Sequence, residues 1–134
     1  MFSYVLDVNI WISLFDKKEY PEKLVEWIVS TGNTIYRSDV LTNEMYDVMN
    51  RLHIIARLKK PILECLEFYN DVTTWVATIP IFTDCPDPKD NYLFDLAIQS
   101  QADYLVTGDQ TVLKTPINPP TKIISFTEFR EMFV

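Results

Sequence analysis

Two short apolar runs, each ending at an aspartate, stand near the two ends of the chain. They are Ser3-Tyr4-Val5-Leu6-Asp7 and Tyr104-Leu105-Val106-Thr107-Gly108-Asp109. Runs this short and this continuously apolar read as strands buried on both faces of a parallel sheet, although periodicity alone does not separate them from a buried helix segment. Ile10 to Phe15 reads as a short helix or a continuation of the first strand. Pro21 suits a first helical position and Gly32 the far end, and Leu24, Trp27 and Ile28 share a face between them, which predicts a helix over 21–31. Thr34-Ile35-Tyr36-Arg37 reads as a strand. Ser38 and Asp39 open a further helix, whose stripe of Leu41, Met45, Val48, Leu52 and Ile55 is the clearest helical period in the chain.

Pro61 begins a helix predicted over 61–77, with Leu63, Leu66, Val72 and Val76 inward. Ile79 to Phe82 predicts a short strand weakened by Pro80, and the prolines of 83–88 predict a loop. Asp87 followed by Pro88 is a helix start, with Leu93, Ala97 and Ile98 toward the sheet. Pro116 to Pro120 reads as a rigid loop and Lys122 to Ser125 as a last strand. Ser125 and Glu128 have capping-box spacing before a final helix through Met132. Strands alternating with helices predict a three-layer α/β/α sandwich around a central, mostly parallel sheet, as one domain over 1–134.

Composition narrows the chemistry. His53 is the sole histidine, so a serine or cysteine nucleophile relying on a histidine base has one choice. Cys65 and Cys85 lack zinc-site spacing; Cys65 reads as a small buried hydrophobe and Cys85 as a loop thiol. Met1-Phe2-Ser3-Tyr4 lacks the basic start of a secretory signal, and no apolar stretch is long enough to span a bilayer. The expected location is the cytoplasm, without a membrane partner. The net charge of −7 argues against broad, passive attraction to nucleic acid, but carboxylates gathered around a metal would inflate that count.

Asp7 and Asp109 fall at carboxyl ends of predicted strands, which face the ligand crevice of an open parallel sheet. Asp7, with Asn9, also suits a cap of the helix that follows it. Glu44 leans toward the same crevice from the helix after the second strand, or is a solvated acid pairing with Arg51. Asp90 lies at a helix start, where its charge also suits the helix dipole. Carboxylates brought together repel, so they need protons or a cation. Hard oxygen donors suit Mg²⁺ or Mn²⁺ rather than zinc, and such ions suit phosphodiester hydrolysis. A phosphatase working through an aspartyl phosphate fits less well, because Asp7-Val8-Asn9 lacks a second aspartate two residues on.

At these residues the sequence resembles the PIN-domain family, especially its bacterial toxin-like branch related to VapC toxins. The likeness is carried by Val5-Leu6-Asp7-Val8-Asn9, Ser38 through Glu44, Asp87-Pro88-Lys89-Asp90-Asn91 and Leu105-Val106-Thr107-Gly108-Asp109. It extends through the closing strand and helix. The resemblance implies a metal-dependent endoribonuclease in which Asp7, Glu44, Asp90 and Asp109 are the acids that hold Mg²⁺ or Mn²⁺. Asn9 matches a polar residue supporting the first aspartate, and Thr107 a polar strand-end residue near the site. In many relatives the helix acid would fall at Asn91, one residue after Asp90, and Asp95 is an acid that could compensate.

The resemblance also implies RNA as substrate, an antitoxin protein as partner and a homodimer. The basic run from Arg51 to Lys60 offers a surface to RNA phosphates or to an acidic antitoxin segment, or is simply a solvated helix end. The competing reading is a catalytically weak or inactive PIN module that acts by binding RNA or protein.

Overall fold

The computed structural model describes residues 1–134. Five strands form one sheet: β1 (Ser3–Leu6), β2 (Thr34–Arg37), β3 (Thr74–Trp75), β4 (Tyr104–Val106) and β5 (Lys122–Ile124). Their order is β3-β2-β1-β4-β5 and every neighbouring pair is parallel. Eight helices flank the sheet: α1 (Val8–Phe15), α2 (Tyr20–Thr31), α3 (Asp39–Met49), α4 (Leu52–Ile55), α5 (Ile62–Val72), α6 (Asn91–Gln99), α7 (Gln110–Lys114) and α8 (Phe126–Phe133). This is the three-layer α/β/α sandwich that the alternation of elements predicts.

The order of the strands positions the site. From β1 the chain winds outward one way through β2 and β3, then returns to the other side of β1 for β4 and β5. The carboxyl ends of β1 and β4 therefore flank the point where the winding reverses, where parallel sheets open a crevice. Both strands are buried because each face is covered. The Tyr4 ring lies 5.1 Å from Trp27 of α2, 5.6 Å from Phe129 of α8 and 5.1 Å from Tyr104. Meanwhile α6 lies against β1 and β4 with Leu93, Phe94, Leu96 and Ala97 fully buried.

Several helix ends fall where the sequence places them. Pro21 sits in the first turn of α2, and Gly32 closes it at φ 69°, a left-handed conformation that costs glycine nothing. The Ser38 hydroxyl accepts from the Leu41 N–H at 3.2 Å. Ser125 and Glu128 form the complete capping box of α8.

Other expectations are corrected. Ile10 to Phe15 is helical, within α1. The long stripe after Ser38 is broken. The Asn50 side-chain amide donates to the Tyr46 carbonyl at 2.6 Å, the acceptor that a continuing helix would offer to the backbone N–H of residue 50. The chain extends at Arg51 and restarts as α4. Leu52 is consequently 86% exposed and Ile55 also faces solvent, while Met49 and Ile54 take the buried places.

The next helix ends at Val72 rather than 77. The Thr73 hydroxyl donates to the Tyr69 carbonyl at 2.7 Å, and the Arg37 guanidinium holds the Thr73 carbonyl at 2.8 Å. That pull delivers Thr74–Trp75 to β2 as the edge strand β3. Leu63 is exposed, and Cys65 and Tyr69 are buried alongside Leu66. Ile79 to Phe82 is extended but is not a strand, because α6 side chains take its hydrogen bonds. The Ile81 and Phe82 N–H groups donate to Asp95 Oδ1 at 3.0 and 2.8 Å, and Ile79 N–H donates to Gln99 Oε1 at 2.9 Å. Ile98 is largely exposed, and Cys85 is buried despite its loop position. No helix is long and apolar enough to cross a membrane.

Candidate active site

The acids are delivered by chain turns at the carboxyl ends of the sheet. Where β1 stops, Asp7 N–H still bonds the Val106 carbonyl of β4 at 2.9 Å, and its side chain turns to cap α1, with Oδ1 accepting from Val8 N–H at 2.7 Å. Capping and a place in the cavity lining thus coexist at Asp7. Its Oδ2 accepts from the fully buried Thr107 hydroxyl at 2.8 Å, and Thr107 Oγ1 in turn accepts from the Asp109 N–H at 3.0 Å. Asp109 caps α7, a helix the sequence reading lacked, through Oδ1 and the N–H groups of Thr111 and Val112. One hydroxyl therefore ties the two strand-end aspartates together.

Asp7, Glu44, Asp90 and Asp109 all line one open cavity of about 500 Å³. Glu44 arrives from α3 and has no salt bridge; Arg51 pairs instead with Asp47 at 3.0 Å. Asp90 ends a short 3₁₀ turn, Pro88–Asp90, that starts once the Asp87 side chain accepts from Lys89 N–H. That turn aims the two neighbours differently. Asp90 points into the cavity, whereas Asn91 turns away and its Oδ1 accepts from Cys85 N–H at 3.1 Å. Asp95 is also outside the cavity, buried and occupied with the Ile81–Phe82 backbone. Asn9 lines the cavity, but it accepts from the Gly108 N–H at 3.3 Å rather than supporting Asp7.

The electrostatics are those of crowded anions. Burial pushes the Asp7 carboxyl above its ordinary range, and the charges of Asp109 and Glu44 add to the rise, against the Thr107 and Val8 hydrogen bonds. Burial, then the charges of Asp7, Asp87 and Asp109, lift Asp90 to about 6. Asp90 Oδ2 is buried with no hydrogen-bond partner. A buried carboxylate oxygen left unpaired costs free energy until something electropositive meets it. The carboxylates share the cavity without three of them closing around one point as a finished coordination sphere.

Some lining residues were not singled out by sequence reasoning. Tyr92 projects from α6 beside Asp90, and burial together with the Asp7, Glu44 and Asp90 charges raises its phenol pKa. In the sequence it reads as one more core aromatic; its place directly after Asp90-Asn91 was the available signal. Arg51, Arg57 and Lys89 bring positive charge to the rim, and each holds a solvent-facing partner: Asp47, Asp16 and Asp87.

A PIN domain profile matches residues 3–111. Among solved structures, the crystal structure of VapBC2 from Rickettsia felis bound to a DNA fragment from their promoter contains a chain of similar fold. The TM-score is 0.60 at 16% identity, covering 92% of this chain and 98% of that one, a likeness that speaks for the fold alone. No curated protein matches the chain. The profile runs from β1 into α7 and so includes every acid of the cavity, and with that coverage the chain belongs to the PIN domain family, whose members are generally nucleases.

Proposed function

We propose that the chain is a divalent-metal-dependent endoribonuclease, the toxin of a toxin–antitoxin pair, with Asp7, Glu44, Asp90 and Asp109 as its catalytic acids. The observation that carries the reading is the Asp90 carboxylate. Its Oδ2 is buried and unpartnered, beside Asp7 and Asp109 delivered from opposite ends of the chain. An all-oxygen donor set of this kind suits Mg²⁺ or Mn²⁺. Asp7 and Asp109 would hold the ion, with Glu44 and Asp90 completing the set. When bound, a divalent ion offsets the carboxylate charges, polarises the phosphodiester and makes water a better nucleophile.

The rest of the mechanism belongs to the chain. Thr107 fixes the Asp7 carboxylate so that one oxygen is spent on its hydroxyl. Arg51, Arg57 and Lys89 on the rim draw a polyanion toward an otherwise acidic mouth. The Tyr92 phenol stays protonated among carboxylates and can donate to a substrate oxygen. No side-chain nucleophile is needed: His53 is exposed, and the Cys65 thiol is buried with its pKa pushed up to about 11. By analogy with the VapBC neighbour, one partner is an antitoxin protein; the family resemblance adds a second copy of the chain as the other, and the cytoplasm is the proposed location.

The competing reading, a catalytically weak module that binds RNA or protein, draws on the carboxylates' failure to close around one point. One assay separates the two. Purified chain is expected to cleave RNA with Mg²⁺ or Mn²⁺ and not with EDTA, and Asp7→Asn to lose about 100-fold or more of the rate, a loss of roughly 2.7 kcal/mol in transition-state stabilisation. Because asparagine also caps helices, the variant keeps its fold. Metal-independent cleavage, or full turnover in Asp7→Asn, would refute the proposal.

A further inference from the structure

A second concave feature lies at the opposite end of α1. Lys17 and Lys18 from the link after α1 and Lys59 and Lys60 from the link before α5 surround a cavity of about 110 Å³. The two links are tied: the Lys59 N–H donates to the Phe15 carbonyl at 3.0 Å, and the Cys65 thiol donates to the Lys60 carbonyl at 3.7 Å. Phe15 and Phe68 meet edge to face at 5.8 Å and give the cavity an apolar wall. None of the four ammonium groups belongs to an ion pair; the chain's ion pairs are Arg51–Asp47, Arg57–Asp16 and Lys89–Asp87. Glu64 is the one acid of the lining, so the cavity carries a net positive charge in a chain whose own net charge is −7.

Four unpaired cations crowded around one small space repel each other, and an anion seated among them relieves that repulsion. The space suits a phosphate group better than a whole nucleotide. It is also connected to the acidic cavity. Arg57 lines the acidic cavity and pairs at 3.1 Å with Asp16, the residue before Lys17. Guanidinium groups therefore line the way from Arg51 and Arg57 to the lysines, each sharing its charge with one carboxylate. Between Asp7 and Phe15 stands α1, eight residues long, or about 12 Å at ~1.5 Å per residue. That is a span that a few nucleotides of an extended single strand cover.

We propose that the lysine cavity seats a backbone phosphate of the RNA strand, a few nucleotides from the bond held at the acidic cavity, with a flanking base against the exposed part of the Phe68 ring. This rests on reading the acidic cavity as a ribonuclease site. An acidic polypeptide would feel the same charges. The aromatic wall and the basic path from the acidic cavity favour nucleic acid, because bases stack on aromatic rings and successive phosphates follow cationic tracks.

The test is equilibrium binding of labelled single-stranded RNA in EDTA, so that turnover does not interfere. Wild type is compared with a variant carrying Lys17→Gln, Lys18→Gln, Lys59→Gln and Lys60→Gln. All four lysines are exposed, so the fold is retained. The variant is expected to bind a twelve-nucleotide RNA at least tenfold more weakly, and its log K against log salt to flatten by about 0.7 for each phosphate it no longer neutralises. A four-nucleotide RNA, with fewer phosphates to seat, should bind both proteins more weakly and still prefer wild type. Equal affinity and equal salt slope for the longer RNA would overturn the proposal. So would polyglutamate of matched length binding wild type as tightly as RNA with the same dependence on the lysines, which would assign the cavity to an acidic polypeptide. The two readings fail separately. Lysine-dependent binding without metal-dependent cleavage leaves the cavity and removes the nuclease, and cleavage with lysine-independent binding does the reverse.

Discussion

The sharpest perturbation is Asp90→Asn, which keeps the side chain's shape and removes its charge. In the folded chain the Asp90 carboxyl is lifted to about 6 from an ordinary 3.8, mainly by burial. Between those values the folded chain holds a proton that the unfolded chain has released, so stability falls as pH rises through that window. Below it both states are protonated and the penalty vanishes; above it the penalty is fully present. The whole shift corresponds to about 3 kcal/mol. Asp90 is only half-buried, and solvent screening reduces the figure to about 1–2 kcal/mol. Asp7, also raised by burial, contributes with the same sign.

Asp90→Asn should therefore stabilise the metal-free chain at pH 8, by roughly 3–6 °C in Tm. At pH 4 the gap should largely close. Adding Mn²⁺ at pH 8 should raise the Tm of wild type, because a ligand that binds only the folded state stabilises it. It should raise that of the variant less, and RNA cleavage by the variant should fall. Thermal melts in EDTA and in Mn²⁺ at pH 4, 6 and 8 read all of this. A variant that melts at or below wild type in EDTA at pH 8, or a gap that persists at pH 4, would refute the reasoning.

Thr107→Val removes the hydroxyl that joins Asp7 Oδ2 to the Asp109 N–H; a loss of about 1–3 kcal/mol in denaturant melts and slower RNA cleavage are expected. Asp95→Ala strips the acceptor from two backbone N–H groups and should cost about 2–4 kcal/mol. It should leave the Mn²⁺ titration midpoint unchanged, because Asp95 lies outside the acidic cavity; a shifted midpoint would contradict that placement. Ser125→Ala dissolves the capping box of α8 for about 1 kcal/mol, visible in a thermal melt, with cleavage unaffected.

What the sequence made legible is what local rules decide. The apolar runs at Ser3–Leu6 and Tyr104–Val106, the bounds set by Pro21 and Gly32 and the capping box at Ser125 are short-range patterns, and each is present. The misses lie where a distant partner overrides a local one. Ile79 to Phe82 has strand-like residues, but its hydrogen bonds go to Asp95 and Gln99, more than a dozen residues away in sequence. The helical stripe passes through Leu52 and Ile55, but the Asn50 side chain ends the helix before reaching them. Among the acids, position on strand ends pointed to Asp7 and Asp109, and all four reach one cavity. The choice between Asp90 and Asn91 was not legible, because it depends on a single 3₁₀ turn that aims consecutive side chains in different directions.

The return of the chain to the far side of β1 has a consequence for the protein while it is being made. Residues 1–103 contain three of the four proposed catalytic acids but neither β4 nor Thr107, so Asp7 lacks the hydroxyl that fixes it. A growing chain, or one cut before Tyr104, lacks the hydroxyl link that joins Asp7 to Asp109. Whatever the cavity does is withheld until synthesis has passed Asp109 and β4 has slid in beside the first strand laid down.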